Sequence, residues 1–215
     1  MEQNSQAVRS IDSSKHSSIT EKISGGAIFG ALSVVVGYYI APILPRVPNW
    51  GIAYFDPVSW IWILSFLIFG IEAGLITSVI GFLGLFLSDP TGVGPIFKLG
   101  ATIWFILVPY LYLKLKKMDL KSKELEAKST YVISFSIAWI IRLIVMTTMN
   151  LIFLTMVWQV PLQYLSFPLF GLSSFTGLSA VITFIIFINT LQTFTDALVP
   201  YLLTFRTPIK NYRSW

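Results

Sequence analysis

The stretch from Trp50 to Pro109 decides the fold of this chain. It opens with Trp50–Pro57 (WGIAYFDP), where aromatic residues, one acid and a proline precede an apolar run. A glycine-flanked turn, Gly70–Gly74 (GIEAG), separates this run from a second one, and Ser88–Pro95 (SDPTGVGP) leads into a third. A helix needs about 20 apolar residues to cross a bilayer, and the run before Gly70 is too short to do so with any margin. The stretch therefore predicts the wall and the lid of a pocket rather than simple anchors.

Composition places the chain among integral membrane proteins. Of its 215 residues, 55% are hydrophobic and only 12% are charged, whereas about a quarter of the residues in soluble domains are charged. The chain has no cysteine, and its one histidine, His16, lies in a polar, serine-rich stretch. We therefore expect no disulfide and no metal site. The sequence also lacks a P-loop, H-E-x-x-H and G-x-S-x-G, so we expect no ATPase activity of its own, no cofactor and no enzyme active site.

The hydropathy pattern predicts an all-α membrane protein with six transmembrane helices. Residues 1–23 are expected to form a disordered cytoplasmic tail, although a short amphipathic start to the first helix is the alternative. Residues 24–207 form the predicted membrane domain, and residues 208–215 a cytoplasmic C-terminal tail. The six predicted helices are Ser24–Pro45, Val58–Gly70, Gly74–Ser88, Pro95–Leu113, Tyr131–Trp158 and Phe175–Phe205.

The basic residues predict the orientation. Twelve of the 15 Lys and Arg residues lie in the N-terminal tail, in the six-lysine loop between Leu113 and Ser129, or at the C-terminal end. Basic runs can bind RNA or anionic lipid, but short cytoplasmic loops also collect Lys and Arg, which is the simpler explanation. Six spans would place all three groups on one side. We therefore expect cytoplasmic termini, a multi-pass protein of the plasma membrane, and no nucleic-acid partner.

The predicted first helix carries small residues at four-residue spacing. Gly26 and Gly30 form one pair, and Ala27 and Ala31 form a second pair beside it. Small residues at this spacing allow another helix to approach closely. They can serve packing inside the protein or docking to a second membrane protein, and we take all four residues as candidates for docking.

The loop after the first helix carries Trp50, Tyr54, Phe55 and Asp56. Aromatic residues at a membrane edge often form an interfacial belt, but here they can also form a lid that stacks on a planar ligand. Lys98 lies one turn inside the fourth predicted helix, where it can snorkel to the interface or face a cavity and meet an acidic group of a ligand. We take these five residues as candidate ligand contacts.

Polar residues inside the membrane are costly and therefore informative. Arg142 and Asp196 lie at similar depths on the last two helices, and we expect them to form a structural ion pair. Asn189, Gln192 and Asp196 fall on one stripe of the sixth helix, at positions i, i+3 and i+7. The amides of Asn150, Asn189 and Gln192 can bind a neutral heterocycle with carbonyl and imino groups, or can form hydrogen bonds between helices.

These segments resemble the S component, the substrate-capture subunit, of an energy-coupling-factor (ECF) vitamin transporter. The resemblance covers about Ser24 to Thr207 and depends on the order of three motifs, which are Tyr54–Pro57 (YFDP), Phe69–Ile76 (FGIEAGLI) and Asp89–Pro95 (DPTGVGP). The Ala27-x-x-x-Ala31 pattern is similar to the motif by which S components dock on the transmembrane coupling protein.

Within that family the chain is most similar to riboflavin-specific members. Asn150, in Met146–Asn150 (MTTMN), and Asn189 resemble the two asparagines that contact the flavin ring in those proteins. This chain departs from their pattern at Gln192, where they typically carry lysine, and at Pro95, where glutamate is frequent. The resemblance implies riboflavin as the favoured transported ligand.

The resemblance also implies a mechanism and partners. A loop from Pro45 to Pro57 would close an outward-facing cavity over a vitamin, and the Ala27/Ala31 face would dock on the coupling protein. The subunit would then topple in the lipid bilayer when paired ATPase subunits bind ATP. Two other classes stay open at this point, a structural or assembly membrane protein without a ligand and an intramembrane enzyme. The enzyme is disfavoured because Glu72 and Asp89 lie at opposite ends of the third predicted helix.

Overall fold

The computed structural model describes residues 19–48, 51–166 and 175–215. Within these ranges the chain is helical, with two isolated bridges and no β-sheet, which confirms the predicted all-α class. The described residues contain eight α-helices, which are α1 (Ile19–Val35), α2 (Pro57–Phe69), α3 (Ile71–Leu85), α4 (Val93–Thr102), α5 (Trp104–Leu115), α6 (Ser122–Glu126), α7 (Lys128–Ile152) and α8 (Gly177–Arg206). Two of them continue as other helix types: α1 through a π-helix (Val36–Ile40) and a 3₁₀ turn (Ala41–Ile43), and α7 through a π-helix (Phe153–Val157).

Four helical segments are long and apolar enough to cross a membrane. They are Ile19–Ile43, Val93–Leu115, Lys128–Val157 and Gly177–Arg206. By contrast, α2 and α3 have 13 and 15 residues, or about 20 and 22 Å, against a hydrocarbon core of about 30 Å. The structure is therefore that of a membrane protein with four full-length candidate spans, and the count of six remains a prediction.

Helix α2 forms the centre of the bundle. Trp62, Ile63, Phe66 and Leu67 are fully buried, and the helix packs against α1, α3 and α8. Other helices, rather than lipid, surround these side chains. The length of α2 therefore does not have to match the bilayer, which explains how so apolar a helix can be so short.

The corner between α2 and α3 is tighter than predicted. Gly70 alone breaks the helix, with φ of 98°, a region that favours glycine. Helix α3 begins at the next residue, so Glu72 lies in its first turn and not in the connecting turn. An acidic side chain is favourable at a helix N-terminus. Glu72 also accepts a hydrogen bond from Lys22 of α1 at 2.9 Å.

The largest of the other differences from the sequence prediction lie in three places, and the remaining helix ends differ by a few residues. Helix α1 begins at Ile19, before the predicted start at Ser24, and the fourth predicted helix is divided into α4 and α5 at Ile103. Residues 208–215 fold back onto the bundle: Pro208–Tyr212 forms a 3₁₀ helix, and the Trp215 ring lies 5.1 Å from that of Phe66 between centroids.

The two small-residue pairs of α1 point in different directions. Gly26 and Gly30 are buried against α3, where an added Cβ would lie 2.9 Å from Cβ of Ile76 and 2.8 Å from Cβ of Ile80, respectively. Ala27 and Ala31 are exposed on the outside of the bundle. The docking assignment is therefore corrected for the two glycines, because they serve packing inside the protein and cannot contact a partner.

Candidate functional site

A cavity of about 630 Å³ lies at one end of the bundle. It is enclosed by the π-helical and 3₁₀ continuation of α1, the end of α3, the beginnings of α2 and α4, and the inner faces of α7 and α8. Its volume falls within the range of about 300–1,000 Å³ that is usual for small-molecule sites. Its lining includes six of the eight predicted ligand contacts, namely Phe55, Asp56, Lys98, Asn150, Asn189 and Gln192. Of the other two, Trp50 lies outside the described residues.

The remaining predicted contact, Tyr54, anchors the loop that covers the cavity. We call this loop, residues 44–48 and 51–56, the lid loop. It folds on itself through hydrogen bonds from Val47 N–H to the carbonyl oxygen of Ile52 at 2.8 Å and from Tyr54 N–H to that of Pro45 at 3.2 Å. Val47 is buried against Phe184 of α8, and Tyr54 packs on the same cluster. Tyr54 is not among the residues that line the cavity, so its assignment as a ligand contact is corrected.

Asp56 and Lys98 face the cavity and pair with each other. Asp56 caps the N-terminus of α2 by accepting from Ser59 N–H at 3.3 Å and from the Ser59 hydroxyl at 2.6 Å, and its Oδ2 also forms an ion pair with Lys98. Burial would raise the pKa of the Asp56 carboxyl, but the Lys98 charge and the hydrogen bonds from Lys98 and Ser59 hold that pKa below its ordinary value. Lys98 thus pairs with an acidic residue of the protein. From the sequence alone, an acidic group of the ligand was also a possible partner.

Arg142 organises the polar floor of the cavity. Its guanidinium donates from Nη1 to Asp196 Oδ2 at 2.7 Å, from Nε to Asn189 Oδ1 at 3.0 Å, and from Nη2 to Gln192 Oε1 at 2.7 Å. The structure therefore contains the expected ion pair, with Arg142 and Asp196 both fully buried. It also joins this pair to two of the amides that were assigned to a ligand.

The amide nitrogens are also engaged within the protein. Asn189 Nδ2 donates to the carbonyl oxygen of Ile185 at 2.9 Å, and Asn150 Nδ2 donates to that of Met146 at 2.7 Å. Gln192 Nε2 donates to the carbonyl oxygen of Ala53 at 2.7 Å. Gln192 therefore joins the lid loop to Arg142. Its amide both holds the loop in place and forms part of the cavity wall.

Sequence reasoning missed Arg46 in the lid loop. This residue lines the cavity, and its guanidinium donates to the carbonyl oxygens of Gly51 at 2.6 Å and Ala41 at 3.3 Å. One signal was available, because Arg46 is one of only three basic residues outside the groups assigned to the cytoplasmic side. It braces the lid loop against the end of the α1 segment.

Asp89 lies at the rim of the cavity and stabilises the turn before α4. Its carboxylate accepts from Thr91 N–H at 3.1 Å and from Gly94 N–H at 2.7 Å. The hydrogen bond from the Thr91 hydroxyl, together with these backbone bonds, outweighs a small effect of burial and holds the pKa of Asp89 below its ordinary value. Two cations, Arg46 and Lys98, and two carboxylates, Asp56 and Asp89, thus line the cavity and balance in charge.

Most of the remaining wall is apolar, with side chains from α2, α3, α4, α7 and α8 and from the π-helical continuation of α7 and its C-terminal end. They include Val58, Leu85, Phe97, Met146, Leu154, Trp158, Ile185 and Ile188. An apolar wall with a few oriented polar groups is typical of sites that bind small organic molecules. Among the described residues, no group of His, Asp and Glu side chains is arranged to hold a metal ion.

Comparison of the chain with protein-family models, with characterised proteins and with solved structures finds no match. Neither a family nor a fold neighbour is therefore available to assign the cavity a ligand. A functional interpretation depends on the cavity, on the lid loop and its bond to Gln192, and on the sequence motifs.

Proposed function

We propose that this chain is the substrate-binding membrane subunit of an ECF-type importer. It would capture a vitamin or a related small molecule, with riboflavin as the first ligand to test. The observation that carries the proposal is the cavity of about 630 Å³ beneath the lid loop, at the end of the bundle opposite the lysine-rich loop. The sequence resemblance to S components supports the same function.

The charge balance around the cavity supports a neutral ligand. The four charged side chains that line it compensate one another, and electrostatic complementarity disfavours a strongly charged molecule in such a site. The apolar wall would cover a planar ring system, and Asn150 with the exposed side chain of Phe55 would contact it.

The lid loop supports capture and release. Its hydrogen bond from Gln192 holds it closed over the cavity, and breaking that bond would open a route from outside. In this proposal both termini are cytoplasmic and the chain crosses the bilayer six times, with α2 and α3 as short spans, of which α2 is enclosed by protein. The exposed Ala27 and Ala31 on α1 would contact the coupling protein, and paired ATPase subunits would supply the energy.

The first test is to purify the protein and to measure its absorbance spectrum and the mass of any co-purified small molecule. We then expect riboflavin, titrated into ligand-free protein, to bind with quenching of flavin fluorescence. Asn150→Leu should weaken binding by about 5- to 30-fold, because one hydrogen bond is lost. Thr148→Leu, on the exposed side of α7, is the matched control and should bind as the wild type does.

If a different vitamin co-purifies, the proposed capture function stands and that vitamin replaces riboflavin as the ligand. If neither co-purification nor titration with a panel of vitamins detects binding, the function is a structural or assembly role instead. A separate test addresses docking, since Ala31→Trp should abolish transport and leave ligand binding intact. Loss of binding in that purified variant would contradict the separation of the docking face from the cavity.

A further inference from the structure

A second cavity lies on the outer surface of the bundle, between α7 and α8. It is a groove of about 450 Å³ that shares no lining residue with the candidate site. Its walls are mainly aromatic and aliphatic, from Tyr131, Phe135 and Trp139 on α7 and from Phe194 and Leu198 on α8. Both helices are long and apolar enough to span the membrane, so the groove opens toward the lipid.

The length of the groove matches one leaflet of a bilayer. Its lining runs from Lys128, the first residue of α7, to Trp139. Eleven residues of α-helix rise about 16 Å, and half of the hydrocarbon core is about 15 Å. A single acyl chain entering from the Lys128 end would therefore reach Trp139 near the middle of the membrane.

Two of the polar groups along the groove are bonded within the protein, and the hydroxyl of Thr193, which also lines it, is buried. The Tyr131 hydroxyl donates to the carbonyl oxygen of Ala197 at 2.7 Å, and Trp139 Nε1 donates to Thr190 Oγ1 at 3.2 Å. The surface that remains is therefore suited to hydrocarbon rather than to a polar solute.

The end of the groove at Lys128 is cationic. Lys128 lines it directly, and the Arg206 guanidinium lies 6.0 Å from the ring centroid of Tyr201, another lining residue. Both cations are exposed, and neither forms an ion pair with a carboxylate among the described residues. Glu126, the acid nearest to Lys128 in the sequence, pairs with Arg213 at 2.9 Å.

We propose that this groove is a binding site for an anionic phospholipid. The phosphate lies at Lys128 and Arg206, and one acyl chain follows the groove toward Trp139. Two uncompensated cations at the lipid headgroup level favour an anionic over a zwitterionic headgroup. The groove lies on the side that carries the lysine-rich loop, which the positive-inside rule assigns to the cytoplasmic leaflet, where anionic lipids are found. The site is independent of the proposed transport function.

The test uses lipids with brominated acyl chains, which quench nearby tryptophan fluorescence. The full-length protein is titrated in mixed micelles with brominated phosphatidylglycerol or brominated phosphatidylcholine. Because the chain has seven tryptophans, the difference between wild type and Trp139→Phe isolates the signal of Trp139. We expect phosphatidylglycerol to quench Trp139 at a lower mole fraction than phosphatidylcholine does.

The charge variants test the headgroup contact. Lys128→Gln combined with Arg206→Gln should weaken the response to phosphatidylglycerol by about 5-fold for each cation removed. Lys116→Gln combined with Lys117→Gln removes two exposed charges on the same side and should have no effect. Gel filtration and thermal unfolding establish that all variants are folded.

Equal quenching of Trp139 by the two lipids would overturn the proposal, as would a response that the Lys128/Arg206 variant leaves unchanged. Protection of Trp139 from both lipids that increases with protein concentration would assign the groove to a second copy of the chain and would also overturn it.

Discussion

Arg142 is the one basic residue in the described bundle whose side chain is buried. Its charge is completely buried, and it is compensated by one carboxylate, two amide oxygens and the face of the Phe105 ring, whose centroid lies 5.7 Å from Cζ. The desolvation of two charges offsets much of their attraction, so such a pair adds little net stability. Removing one partner is a different matter, because it leaves the other charge buried and alone.

We therefore expect Arg142→Met to lower the free energy of unfolding by about 3–5 kcal/mol, since Asp196 would be left unpaired. The double variant Arg142→Met/Asp196→Leu should recover most of that loss. Unfolding by denaturant in detergent micelles measures both values, with the exposed Arg206→Met as the control, expected within about 0.5 kcal/mol of the wild type. A double variant no more stable than the single one would show that the pair itself contributes the stability.

Asp56 makes stability depend on pH in a defined direction. Its pKa is held below the ordinary value of 3.8 when the chain is folded. Its contribution is therefore complete above about pH 4, the usual range of an unfolded aspartate, and is lost as the pH falls through the lower folded pKa. We expect the difference in unfolding free energy between wild type and Asp56→Asn to shrink as the pH falls below about 4. A difference that does not shrink on acidification would contradict this assignment.

At the scale of the helices, α1 shows that a pattern of small residues does not by itself tell which side of the helix is buried. The two glycines and the two alanines have the same four-residue spacing but are displaced by one position, which rotates them by about 100° around the helix. The pattern correctly indicates that small residues matter there. Only the position of α3 decides which pair is inside, and that position depends on contacts between residues about 50 apart, such as Thr77 with Gly26.

The rotation of α1 gives a prediction with a matched control one residue away. Gly30→Leu would place a side chain where Cβ alone meets Ile80 at 2.8 Å, and overpacking of this kind costs about 1–3 kcal/mol. Ala31→Leu adds a similar volume on the exposed side of the same turn and should leave stability unchanged. Thermal unfolding of the two purified variants compares them directly. Equal destabilisation would mean that the Ala31 side is also packed against protein.

For the whole molecule, the sequence predicted which residues form the site better than it predicted which residues they bond to. The stripe of Asn189, Gln192 and Asp196 follows from helix geometry alone, and the structure brings all three to Arg142. The structure also gives two of these amides partners inside the protein, which no local pattern could indicate because the partners lie on other elements. Gln192 and Ala53, for example, are 139 residues apart.

Residues 214 and 215 form hydrogen bonds with residues far away in the sequence. Trp215 Nε1 donates to the carbonyl oxygen of Leu67 at 3.1 Å, and its own carbonyl oxygen accepts from Ser122 N–H at 3.0 Å. Ser214 N–H donates to the carbonyl oxygen of Ile68 at 3.0 Å. These bonds join the end of α2 to the beginning of α6 on the side of the molecule opposite the candidate site. They close that end of the bundle by giving partners to the last carbonyl groups of α2, and the Ser122 hydroxyl also donates to that of Leu67 at 2.7 Å.

Replacement of Trp215 should open this end locally and leave the rest of the bundle intact. Trp215→Ala removes the ring that packs on Phe66 as well as the bond to Leu67, so the segment should open more often than in the wild type. We expect amide hydrogen exchange at Ser122 and Ser214 to accelerate by about 5- to 30-fold, with exchange in the middle of α8 unchanged. Tyr212→Ala, which removes an exposed ring from the same segment, should change neither. Uniform acceleration throughout the bundle would instead mean that Trp215 belongs to the global core, because local opening cannot expose helices with which the segment makes no contact.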